Sequence, residues 1–143
     1  MPTTIPKPTK KEIAAALIGA RALIAKPENW IRRFYAANNN PEADRINPGD
    51  KDASRFCAIG AIMHWNRTAN PRRESDPNFT TRPNAPPGEH LYSPSRMLEF
   101  ATESALSAAI GEDVADWNDS KPPNHDKIIA GFDKAIKENG GGK

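Results

Sequence analysis

One cysteine and three histidines are the residues of this chain best suited to nucleophilic chemistry: Cys57, with His64, His90 and His125 as candidate bases. A thiol attacks as its thiolate, so it needs a helix N-terminus or a paired histidine to lower its pKa. Asp50 or Asp52 ahead of the apolar run Phe56-Cys57-Ala58-Ile59-Gly60-Ala61-Ile62 predicts a helix from about Ala53 to Trp65, with Phe56, Ile59, Ile62 and Met63 on its apolar face. Cys57 then falls in the second turn, past the strongest part of the helix dipole. A cap at Ser54 instead brings it into the first turn and strengthens the case for a Cys57-dependent hydrolase or transferase, with His64 as the nearest base in sequence. The simpler reading is that Cys57 packs as a small hydrophobe. Gly60 costs about 1 kcal/mol in a helix interior relative to alanine. Close approach of a second helix onto the Ala58-Gly60-Ala61 face would offset that cost.

The other candidate residues suit binding better than bond-making. Trp117-Asn118-Asp119 joins an amphipathic ring to two side chains that cap and turn the backbone. With Trp30 and Cys57, these three residues could line a pocket that has one stacking face and a few polar contacts. The simpler reading of the same groups is a structural junction between two helices, where Asx side chains are ordinary. Arg67, Arg72, Arg73 and Arg82, with Phe79, form a basic stretch able to engage a partner. One cysteine and three scattered histidines have no zinc-ligand spacing, and there is no glycine-rich phosphate loop. Neither a metal nor a cofactor is expected.

These residues must be positioned by helices. One valine stands against 21 alanines and 12 isoleucines, a composition that argues against a strand-rich fold. Leu, Ile, Val and Phe together reach only about 16% of the 143 residues, but the formal net charge is +2, so the apolar deficit is local rather than a mark of disorder. The expected fold is all-α: one domain over 9–139 with four main helices. A proline-rich arm precedes it at 1–8, an irregular Pro- and Arg-rich insertion spans 67–92, and a loose tail covers 140–143.

Each helix has start and stop signals. Thr9 and Glu12 form a capping box, and Ile13, Leu17, Ala20 and Ile24 define an apolar stripe ending near Lys26, ahead of Pro27. A short second helix can follow through Trp30, Ile31, Phe34 and Tyr35, stopped by Asn38-Asn39-Asn40-Pro41. Ser93-Pro94 starts a helix whose apolar face reads Met97, Phe100, Ala101, Ala105, Ala108 and Ile110, closed by Gly111. A short turn is expected over 112–117. Asn124 caps the last helix, which carries Ile128, Ile129, Phe132, Ala135 and Ile136 and ends at Asn139-Gly140.

Four fragments follow one another along the chain: Lys26-Pro27-Glu28-Asn29-Trp30, Phe56-Cys57-Ala58-Ile59-Gly60-Ala61, Trp117-Asn118-Asp119 and Phe132-Asp133-Lys134-Ala135-Ile136. This pattern resembles a family of small bacterial and phage proteins of unknown function. The likeness spans 9–66 and 93–137 and lapses in the Pro-rich stretch between. It implies an all-helical single domain and a mobile-element origin, and it implies no activity.

The functional expectation is a non-enzymatic binding protein whose partner is another macromolecule, such as a host protein to be inhibited or a virion component. The alternatives are the Cys57 enzyme and a nucleic-acid binder using the basic loop and N-terminal arm. A pI of 8.8 reflects only a slight excess of basic residues, too weak to predict nucleic-acid binding by itself. The lone cysteine and the polar, Pro-rich N-terminus fit a cytoplasmic protein without a membrane span.

Overall fold

The computed structural model describes residues 7–38, 46–70 and 94–141. Among these residues the chain is mostly helical, with α1 Lys10–Leu23, α2 Ala58–Thr68, α3 Pro94–Ile110, α4 Val114–Asn118 and α5 His125–Glu138. A 3₁₀ turn at Pro27–Asn29 and two short strands, β1 Ala36–Ala37 and β2 Arg55–Phe56, lie between α1 and α2. Residues 1–6, 39–45, 71–93 and 142–143 lie outside the description, and with them the expected arm, most of the Pro-rich insertion and the Ser93 cap.

α1 begins where its capping box does. The Glu12 amide donates to the Thr9 hydroxyl at 3.1 Å, and the Glu12 carboxylate accepts from the Thr9 amide at 3.1 Å. Leu17, Ala20 and Ile24 are fully buried. The helix closes at Leu23, earlier than the position of Pro27 suggests, because the Ile24 amide turns back to the Arg21 carbonyl at 3.2 Å. The Ile24 carbonyl is in turn the acceptor for the His125 ring, at 2.6 Å.

The expected short helix through Tyr35 does not form. After one 3₁₀ turn the chain runs out to pair with the residues preceding α2. Ala36 faces Phe56 and Ala37 faces Arg55 in an antiparallel pair, and Trp30 makes a parallel bridge to Phe56. A two-turn helix has few hydrogen bonds to offset its nucleation cost, and pairing here also buries Ala36 and Ala37. Strand β2 shifts the start of α2. Its cap is Cys57, not Asp50, Asp52 or Ser54, and it runs from Ala58 to Thr68 instead of from 53 to 65. Asp50 instead holds a turn, its carboxylate accepting from the Asp52 amide at 2.9 Å.

α3 starts at Pro94, as its N1 proline predicts, but it buries a different face from the expected one. Leu98, Thr102, Leu106 and Ala109 are buried, while Phe100 is 41% exposed. The buried stripe is concealed in sequence because it contains a threonine and runs beside Glu99. The Thr102 hydroxyl donates to the Leu98 carbonyl at 2.7 Å, which lets it sit in the core. Asp113 and Asn124 cap α4 and α5, accepting from the Asp116 and Lys127 amides.

One core joins these elements: Leu17, Ala20 and Ile24 of α1, Phe56 of β2, Ala61 and Ile62 of α2, Leu106 of α3, Trp117 of α4, and Ile128, Phe132 and Ile136 of α5. Two indoles pack directly onto glycines of neighbouring helices. Trp65 of α2 lies against Gly19 of α1, and Trp117 of α4 lies against Gly131 of α5, where in each case a Cβ would collide with the ring.

Candidate functional site

Trp30, Cys57, Asn118 and Asp119 do converge, and the residue at the centre is Asn118. Its side-chain oxygen accepts from the Trp30 indole N–H at 2.8 Å and from the Ala58 amide, the first of α2, at 3.0 Å. Its Nδ2 donates to the Ile31 carbonyl at 3.1 Å and to the Asp119 carboxylate at 3.0 Å. One buried amide therefore ties the end of α4 to the start of α2 and to the segment after the 3₁₀ turn. Asp119 extends the tie: its carboxylate accepts from the Arg33 amide at 3.0 Å, and its carbonyl accepts from Arg32 Nη2 at 2.7 Å. Trp117 points elsewhere. It is 2% exposed and packs against Phe132, with ring centroids 6.4 Å apart.

Cys57 caps α2 with its sulfur. The Gly60 amide donates to Sγ at 3.3 Å, and the Ile59 amide reaches the same atom. These amides favour the thiolate, yet burial outweighs them, with a further push from the Asp119 charge, and the thiol pKa is raised to about 11. Neither described histidine is bonded to it. His64 Nδ1 lies 2.6 Å from the Pro48 carbonyl, and its ring packs on Phe56 with centroids 4.6 Å apart. His125 is held by Ile24 and lies 5.9 Å, centroid to centroid, from Trp30. Because a carbonyl can only accept, each of these ring nitrogens carries its proton. His90 lies outside the described residues.

Gly60 does not serve a helix crossing. A Cβ there would lie inside the Tyr35 carbonyl group, so the bare backbone of α2 admits the turn that precedes β1. The Cys57 amide donates to that same carbonyl at 3.3 Å. Together with the Asn118 and Asp119 contacts, this fixes the loop 31–35, in which Arg33 has φ +75°. A left-handed conformation at a residue with a side chain costs about 1–2 kcal/mol, so it persists only where surrounding bonds hold it.

Of the basic residues, Arg67 sits in the last turn of α2, with its guanidinium 3.4 Å from Glu99 and 3.5 Å from the Asn47 side chain. Arg72, Arg73, Phe79 and Arg82 lie outside the described residues. Glu99 was not apparent as a site residue in the sequence. Its carboxylate also accepts from Asn66 at 2.6 Å and from Arg96 at 3.2 Å, and Asn70 donates to Asn66 at 2.7 Å. An acid in a helical stripe reads as solvent-facing until its partners on α2 are known.

Phe100, Glu103, Ser104, Ser107, Asp113 and Val114 border an open groove of about 310 Å³ between α3 and the start of α4. Burial, reinforced by the Asp113 charge, raises the pKa of Glu103. Among the described residues no three His, Cys, Asp or Glu side chains cluster as metal ligands, and no helix is long and apolar enough to cross a membrane.

A family model described as a family of unknown function, DUF6197, matches residues 8–138. The chain belongs to the DUF6197 family. The match covers all of α1, the Cys57 cap, the Asn118 tie and all of α5 in one continuous span. No curated protein and no solved structure matches the chain.

Proposed function

We propose that this DUF6197 protein is a non-enzymatic binding protein that acts by occupying a macromolecular partner, in the first instance another protein. One observation carries the reading: Cys57, Trp30, Asn118 and Asp119, the groups a catalytic site would aim at a substrate, are already engaged in hydrogen bonds within the chain. A thiol raised to about 11 is almost entirely protonated at neutral pH and is a poor nucleophile. The resemblance of its motifs to small phage and bacterial proteins supports a phage or mobile-element origin. In that setting a host-protein inhibitor in the cytoplasm, or a virion accessory protein, is the role proposed.

Alkylation of the native protein at neutral pH tests the choice between binding and thiol chemistry. The expected result is that Cys57 reacts slowly when folded and at the rate of a free thiol in urea. Rapid, stoichiometric labelling of the folded chain would restore the Cys57 hydrolase or transferase. Nucleic-acid binding is the other alternative, and it requires an affinity that falls steeply with added salt.

A further inference from the structure

The hydrogen bonds around Asn118 hold a short loop that contributes little to the core, and what the loop displays is an arginine and a tyrosine. The segment 31–35 is fixed at four of its five residues. The Ile31 amide donates to the Phe56 carbonyl at 2.9 Å, and the Ile31 carbonyl accepts from Asn118. Arg32 and the Arg33 amide are held by Asp119, and the Tyr35 carbonyl is held by the Cys57 amide above the bare backbone of Gly60. The two side chains left outward are Arg33, which is exposed, and Tyr35, which is 54% exposed. The Arg33 guanidinium has no carboxylate partner among the described residues. Arg32 is bound to a backbone carbonyl with its Nε buried and unpaired, and Arg55, paired across the strands with Ala37, donates to the Asn38 carbonyl. The Asp119 carboxylate is taken up by the Arg33 amide and the Asn118 side chain, not by a guanidinium.

From this we infer that the loop 31–35 is a preformed recognition element for an acidic segment of a partner protein, with Arg33 the charged anchor and Tyr35 the aromatic one. The inference rests on the binding reading above. Tyr and Arg are the residue types enriched where interface energy concentrates, and a loop already fixed in one conformation loses little entropy on binding. The left-handed backbone at Arg33 is held by the bond from its amide to Asp119, and such strained positions cluster where a loop binds a ligand. An acidic protein is favoured over nucleic acid because the chain as a whole carries a formal charge of only +2, too little for the broad basic field that phosphate backbones require.

The test selects a displayed library of random dodecapeptides on the intact chain and titrates the enriched peptides against variants. Peptides rich in Asp and Glu are expected. Their affinity should fall about tenfold or more in Arg33→Glu and severalfold in Tyr35→Ala, and stay unchanged in Arg21→Ala. Arg33→Gly removes the guanidinium while easing the backbone, so it must lose binding with the fold intact by circular dichroism. Enriched peptides that are not acidic, or that bind the loop variants as well as the parent, overturn the loop assignment and leave the binding reading standing. A library that yields no binder overturns both. A single-stranded oligonucleotide that competes with the peptides and outbinds them through Arg33 overturns the acidic-protein assignment in favour of nucleic acid.

Discussion

At Gly60 a single missing side chain decides whether the loop and α2 can meet. Gly60→Ala places a methyl group on the Tyr35 carbonyl, which is backbone and cannot swing away. The expected loss of stability is about 3 kcal/mol or more, at the upper end for overpacked sites, read as a lowered urea midpoint. Cys57 makes a different prediction. Its folded pKa of about 11 lies above the 9.0 of an unperturbed thiol. The unfolded chain therefore releases this proton first as pH rises. The contribution of the buried thiol is fully present below about pH 9 and is lost as pH climbs toward 11. Cys57→Ser keeps an N-cap acceptor for the Gly60 amide without a titrating group. The stability difference between parent and variant should shift in favour of the serine protein between pH 9 and 11. A difference that stays constant across that range would mean that the thiol is not held protonated.

At the level of the elements, two ion pairs join helices and should differ in weight. Arg21 of α1 and Asp133 of α5 meet at 2.6 Å, but their side chains are 35% and 54% exposed. Asp133→Ala should cost less than about 1 kcal/mol. Glu99 is 8% exposed at its side chain and serves two arginines and Asn66 at the junction of α2 and α3. Glu99→Ala leaves these donors without their acceptor and should cost about 3 kcal/mol. Thermal melts of the two variants give the comparison directly. The helices themselves were readable wherever a cap and a stripe coincided, as at Thr9 with Glu12 and at Asn124 ahead of Ile128 and Phe132. They were misread where a tertiary contact competed: β1 claimed residues expected to be helical, and α3 turned Leu98 and Thr102 inward in place of Phe100. Local periodicity carries no information about which face meets a neighbour when a satisfied polar residue lies on it.

For the molecule as a whole, one core drawn from α1, α2, α3, α4 and α5 predicts a single cooperative transition. Tryptophan fluorescence and helical circular dichroism should give the same urea midpoint in the parent protein. Asn118→Ala tests how far one side chain connects the parts. It leaves the Trp30 indole and the Ala58 amide without an acceptor, at about 1–3 kcal/mol each. The urea midpoint should fall accordingly, and amide exchange should rise first over residues 31–35 and at the start of α2. The sequence alone determined the helical class, the start of α1 and both ends of α5, because caps, breakers and apolar spacing act over a few residues. Only the tertiary structure decided that Cys57 is the cap of α2 and not a residue within it, that Gly60 faces a carbonyl and not a helix, and that Arg33 and Tyr35 are presented on a fixed loop. Those outcomes depend on Asn118 meeting residues 60 and 87 positions away in the chain, and no local pattern encodes such a meeting.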